Sequence, residues 1–178
     1  MSLFDKINLT PSKYKVHTFT STGNTTFAVT GSGDIEYLVI AGGGASGNGA
    51  GGGGGAGGFR TNVSGATSGG GSSAESTYGV TAQNYTITVG AGGTGNSTTN
   101  CGNSGANSSI VPASGTSIIS IGGAGAGGGN APATLLSGGS GGGSGDAPRT
   151  GGLGTAGQGY NGGTTARQIA PYPASGGG

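Results

Sequence analysis

Charge is the scarcest property of this sequence: 178 residues carry six basic and five acidic side chains. No basic stripe forms, so the electrostatic footprint of a nucleic-acid binder is missing. There is no Trp, and there are only one His, one Met and one Cys. A single Cys101 excludes an intrachain disulfide, and one His without a Cys cluster excludes the common zinc sets. Long hydrophobic runs are also lacking. The longest, Tyr37 to Ala41, is far too short to span a bilayer as a helix. Met1-Ser2-Leu3-Phe4-Asp5-Lys6 has no charged segment followed by an apolar one, so it does not read as a secretory signal. The chain is expected to reach its place of work by another route, such as assembly into a virion that lysis releases.

What is abundant is glycine, 49 residues of it, without a strict Gly-X-Y repeat. Such composition usually signals low complexity. Two features argue for order instead: the chain is nearly uncharged, and it carries well-formed apolar, β-branched runs that disordered chains lack. A glycine fixed in place costs roughly 0.5–1 kcal/mol more than an alanine. Its compensation is close approach of backbones, which pair N–H with C=O and add Cα–H···O contacts. Polyproline-II-like glycine helices, with three residues per turn, achieve this.

Alternation predicts antiparallel strands at 13–20, 25–30, 35–41, 84–90 and 116–122, with weaker candidates at 59–63 and 108–111. Gly23-Asn24 reads as a hairpin turn. The run Ile35 to Ile40 is the most apolar and is expected to lie centrally, and 75–82 could hold a turn of helix at most. Glycine follows three strands directly, at Gly42-Gly43-Gly44, Gly90-Ala91-Gly92-Gly93 and Gly122-Gly123. Within the tracts a three-residue register appears: Gly49, Gly52, Gly55 and Gly58; Gly122, Gly125 and Gly128; Gly139, Gly142 and Gly145; Gly151, Gly154 and Gly157. The fold class expected is all-β, with antiparallel, sandwich-like strands framing a bundle of polyglycine or polyproline-II-type helices. Its divisions are a lead-in at 1–12, a strand framework with glycine-rich insertions at 13–121, and a glycine-rich segment at 122–178. Gly125, Gly142 and Gly154 are expected inside the bundle, where valine would destabilise far more than at Ser175.

Candidates for chemistry are few. His17 has no partner, and Asp34 and Glu36 read as turn-forming and solvated. Gly42 to Gly47 follows a strand but lacks the helix that a dinucleotide loop requires. Cys101 has no basic neighbour to activate it. No catalytic, cofactor-binding or metal residue is expected, and the protein is not expected to be an enzyme. Arg60, Arg149, Arg167, Tyr160 and Tyr172 stand out as large side chains in glycine-rich surroundings. Of these, Arg149, Tyr160 and Tyr172 form the candidate receptor-binding set.

The runs Val16 to Thr20, Thr26 to Val29 and Ile35 to Gly44 follow in an order that resembles a known pattern. So do Gly54-Gly55-Ala56-Gly57-Gly58-Phe59-Arg60 and Tyr85 to Gly93. Together they resemble the glycine-rich domain of bacteriophage tail fibre and other phage structural proteins. They are more distantly similar to the glycine-rich domain of anaplastic-lymphoma-kinase-type receptors. The resemblance implies a virion fibre or adhesin without chemistry or cofactor. Its expected partners are a host cell-surface glycan or outer-membrane protein and other virion proteins. A homotrimer is the first choice of assembly, and neither nucleic-acid binding nor membrane insertion is expected. The alternative is a purely structural, self-assembling fibre or capsid decoration subunit. An ice-binding surface would call for regular Thr or Ala ladders, which the sequence does not carry.

Overall fold

A computed structural model describes residues 15–95, 97, 101–129, 136–145, 149–165 and 175–178. Among these the strands are β1 (Gly23–Val29), β2 (Gly33–Ile35), β3 (Leu38–Ile40), β4 (Phe59–Thr61), β5 (Tyr78–Val80), β6 (Gln83–Val89), β7 (Ser108–Pro112) and β8 (Ile118–Ser120). A single 3-10 turn spans Gly69–Gly71. No helix among the described residues is long and apolar enough to cross a membrane. The protein is mostly β, and the strand pairings among the described residues are antiparallel.

Alternation builds the main sheet, ordered β1-β6-β7-β8. Tyr85 and Ile87 of β6 point inward while Asn84 and Thr86 face solvent. Phe27 lies opposite Tyr85, Ile87 opposite Ile110, and Ile110 opposite Ile118, so successive strands add to one apolar face. Val80, Tyr85 and Ile87 form one core cluster, and Tyr37, Val39 and Ile118 form another. Tyr78 and Ile110 pack against both and join them. Each such buried side chain is worth about 1.5–3 kcal/mol.

Several expectations change. Residues 15–20, the described part of the strand expected at 13–20, form no strand, and Gly23 begins β1 rather than making a hairpin turn. That segment instead leans rings on the sheet: His17 and Phe19 stand 4.7 and 5.7 Å from Phe27, centroid to centroid. The strand expected at 35–41 is broken. β2 pairs with β5 and β3 with β4, each in a two-stranded ribbon, so this run is not the centre of a large sheet. The cause is Asn62, whose Oδ1 accepts the Tyr37 N–H and whose Nδ2 donates to the Ile35 carbonyl, both at 2.8 Å. The weaker candidates are strands β4 and β7, and β5 occupies part of the stretch read as a turn of helix. The last strand is short: β8 ends at Ser120, and the chain continues into glycine.

The glycine segments pair main chain to main chain with a three-residue period. Ala41, Gly44 and Gly47 donate to Gly58, Gly55 and Gly52, while Gly42 and Ala45 donate to Ala106 and Asn103. Gly52, Gly55 and Gly58 donate in turn to Gly127, Ala124 and Ile121. The 122–128 run is buried throughout and sits among four such segments. Its residues Gly123 and Ala126 donate to Gly42 and Ala45, and Ala124 and Gly127 donate to Ser140 and Gly143. The remaining phase is met by side chains: Gly122 donates to Asn107 Oδ1 and Gly125 to Ser104 Oγ. Segments from the 13–121 and 122–178 parts of the chain therefore share one hydrogen-bonded layer.

Candidate functional site

The layer depends on glycine at the positions where its segments come closest. Gly142 faces Gly125, and Gly125 faces Gly102, so that a Cβ at either position would overlap the facing carbonyl oxygen. The same spacing recurs three residues on: a Cβ at Gly122 would overlap Gly105 O, and one at Gly145 would meet Gly128 O at 2.5 Å. Gly154 is half-buried, and its Cβ would meet Tyr160 O at 2.5 Å. Gly49 and Gly157 share the three-residue register but not the packing. Their φ values of +71° and +74° place them in turns.

Among the described residues, three large hydrophobic side chains stand out of this layer. Leu136, Leu153 and Tyr160 are 47, 59 and 62% exposed. Their main chains are neighbours. Gly138 N–H donates to Leu153 O, a Cβ at Gly152 would overlap Leu136 O, and Tyr160 O accepts from Gly141. Asn161, beside Tyr160, holds the next segment by accepting Gly154 N–H at 2.9 Å. Arg149 is half-buried and exchanges main-chain hydrogen bonds with Thr165 at 2.9 and 3.1 Å. Arg149 and Tyr160 are thus anchored to different partners. Tyr172 and Arg167 lie outside the described residues. Sequence reasoning missed Leu136 and Leu153. Their signal was present: each is a large apolar residue in a tract without strand alternation.

Arg60, also singled out in the sequence, is turned to internal use. Its Nε and Nη2 donate to the two oxygens of Glu75, each at 2.6 Å, and its Nη1 donates to Ile119 O at 2.9 Å. Tyr37 OH donates to Glu75 Oε2 at 2.6 Å. The Arg60 hydrogen bonds hold the Glu75 carboxyl below its ordinary value, against a smaller opposing effect of burial. Burial, then the hydrogen bond to Glu75, pushes the Tyr37 hydroxyl well up. This clasp joins β4, β8 and Tyr37, the residue before β3, to the 62–77 loop.

Asp34 lies in β2 and Glu36 beyond its end, both exposed. Cys101 is half-buried at the head of the 101–107 segment. A hollow at the end of the main sheet is lined by Tyr78, Gln83, Tyr85, Pro112 and Ser114. Its polar groups bind one another: Gln83 Nε2 donates to Thr81 Oγ1 and Ser114 O and lies 3.2 Å from Tyr85 OH, and Gln83 Oε1 accepts Ser114 N–H. Among the described residues, no group of three or more His, Cys, Asp and Glu side chains could hold a metal ion.

These features define a glycine-rich, mostly β protein whose glycines pack backbone against backbone. Residues 20–178 match the glycine-rich domain family, and the chain belongs to that family. Neither a curated protein nor a solved structure matches it.

Proposed function

We propose that the protein is a phage virion component, a tail fibre or adhesin subunit that presents a host-binding surface on a rigid glycine layer. The observation that carries this reading is the three-residue hydrogen-bond period. The same period is expected of polyglycine-II-type helices, which have three residues per turn and about 3.1 Å rise per residue. A layer of such segments is held mostly by main-chain hydrogen bonds, with a few Asn and Ser side chains completing them, so its outer faces are left free for recognition. Leu153, Tyr160 and Arg149 are the contact surface we assign, with Tyr172 as a further member by sequence. Aromatic and Arg side chains on a firm base are the usual energetic anchors of recognition. The order of strands and glycine tracts, which resembles phage tail fibre domains, supports the same reading.

The proposed partner is a cell-surface glycan or outer-membrane protein, bound without turnover. The proposed assembly is a homotrimer, because the two core clusters are small and burial between subunits would add stability. The alternative, a purely structural fibre or decoration subunit, differs in one measurable respect. Purified protein added to susceptible bacteria should bind them and block phage adsorption. Correctly assembled protein that does neither leaves the structural reading in place.

A further inference from the structure

The chain contains two Asn-Gly pairs in its described residues, Asn48-Gly49 and Asn161-Gly162, and the fold treats them in opposite ways. An asparagine followed by glycine can lose its side-chain amide when the glycine nitrogen attacks the side-chain carbonyl carbon, Cγ. Glycine has no Cβ to hinder the approach and adopts the backbone that the approach needs. The reaction requires that nitrogen to be close to Cγ, accessible to hydroxide and not held by a firm main-chain bond.

Asn48 meets these conditions. Asn48 and Gly49 are both exposed, and Gly49 has φ +71°. The Gly49 nitrogen lies 2.7 Å from Asn48 Oδ1, one covalent bond from Cγ. That side-chain oxygen is the acceptor the Gly49 N–H has among the described residues. The Asn48 amide nitrogen reaches Ser97 O only at 3.5 Å, which holds it weakly. Nothing lies within 4 Å of a Cβ built on Gly49, so the site is open. Asn161 is exposed as well, but Gly162 is half-buried and both reacting groups are held. Gly162 N–H donates to Gly152 O at 2.8 Å within the layer, and Asn161 Oδ1 is held by Gly154 N–H at 2.9 Å.

We propose that Asn48 is a self-modification site, converting spontaneously to aspartate and isoaspartate while Asn161 is protected by the fold. Hydroxide removes the Gly49 N–H proton, and the nitrogen forms a bond to Asn48 Cγ. The bond from Cγ to Nδ2 breaks, and ammonia leaves with the added proton, giving a succinimide. Water then opens the ring at either carbonyl. The net change consumes a water and releases an ammonia, with no oxidation or reduction. The product places a carboxylate beside Ser46 and Ser97 on a chain of net charge +1. In the isoaspartate form it also lengthens the main chain at the corner joining the 41–47 and 51–58 segments. Gly47 N–H to Gly52 O and Gly51 N–H to Gly49 O are the bonds that set this corner.

The test is to age the intact, folded protein at mildly alkaline pH and quantify both sites by peptide mass spectrometry. Isoaspartate is read separately by enzymatic methyl labelling. Asn161 must break two hydrogen bonds to react, so Asn48 should convert on the order of tenfold faster or more. In denaturant the two rates should converge, and Gly49→Ala should slow conversion at Asn48 while leaving Asn161 unchanged. Equal rates in the folded protein, faster conversion at Asn161, or an Asn48 that converts only after denaturation would overturn the proposal.

Discussion

The side-chain amide of Asn62 stands in for a neighbouring strand at Tyr37: it accepts the Tyr37 N–H at 2.8 Å and donates to the Ile35 carbonyl at the same distance. Between these two contacts the chain leaves its partner β5 and takes up β4. A side-chain amide has the donor and acceptor of a peptide group, so it satisfies both main-chain groups without a continuing ladder.

Asn62→Ala should therefore destabilise the protein by about 1–3 kcal/mol, since it leaves a half-buried donor and acceptor unpaired. Asn62→Asp keeps the acceptor for Tyr37 and loses the donor for Ile35, so it should be intermediate. Chemical denaturation of both variants checks this. An Asn62→Ala protein as stable as the parent would mean that water replaces the amide at no cost.

This device also explains what the sequence could and could not tell. Alternation located β1 and β6 well, because Phe27, Tyr85 and Ile87 recur at period two and face the core. It could not show that Ile35 to Ile40 is cut in two, because the cut depends on a residue 25 positions away from Tyr37. It overreached at 15–20, where the pattern is strand-like but β1 pairs on its described side with β6, leaving ring contacts with Phe27 instead of a ladder. The three-residue glycine register was legible, but not which members were turns. Gly49 and Gly157 match it as well as Gly125 does, and only backbone conformation separates them. In the surface set, Tyr160 was legible as an isolated aromatic. The inward turn of Arg60 was not, because Glu75 reaches it only through the fold.

The Arg60–Glu75–Tyr37 clasp should make stability depend on acid. The Glu75 carboxyl is held below its ordinary value of 4.5, chiefly by Arg60. A carboxyl lowered in the folded state contributes fully above its unfolded value and loses that contribution as pH falls through the folded one. Stability should thus drop below about pH 4.5, and Glu75→Gln should flatten that part of the profile. The same variant should cost roughly 1.5–3 kcal/mol at neutral pH, the range for hydrogen bonds to charged groups. A Glu75→Gln profile that falls as steeply in acid as the parent's would assign the acid effect elsewhere.

Glycine-to-alanine substitution should separate packed from open positions. At Gly125 and Gly142 the new methyl group would overlap main-chain oxygen, which cannot rotate away as a side chain can. Each change should cost about 1–3 kcal/mol or more. Gly31 has nothing within 4 Å of a built Cβ, so Gly31→Ala should change stability by no more than about 0.5 kcal/mol. Ser175 is a poor neutral comparator, contrary to the expectation from sequence. Its Oγ donates to Gly163 O at 2.7 Å, accepts Ser144 N–H at 2.7 Å and lies 3.0 Å from Ser144 Oγ. Equal melting temperatures for the Gly125 and Gly31 variants would refute backbone-to-backbone packing as the source of order.

If the glycine layer is a platform for recognition, stability and binding should respond to different residues. Tyr160 is 62% exposed and Leu153 59% exposed, while their main chains are tied into the layer at Gly141 and Gly138. Truncating either side chain to alanine leaves those main-chain bonds in place, so thermal stability should change little, by about 0.5 kcal/mol or less. Binding should respond strongly if the side chains are anchors: a truncated central aromatic typically costs about 2 kcal/mol or more, which is a loss of roughly thirtyfold in affinity. Gly142→Ala should behave in the opposite way, lowering stability while leaving the surface chemistry intact in protein that remains folded. The measurement is a titration of labelled protein onto susceptible cells, run beside denaturation curves for the same variants. Tyr160→Ala and Leu153→Ala proteins that bind as tightly as the parent would move the contact surface off this part of the layer. Binding that tracks stability alone would mean that the layer is recognised only as an intact body.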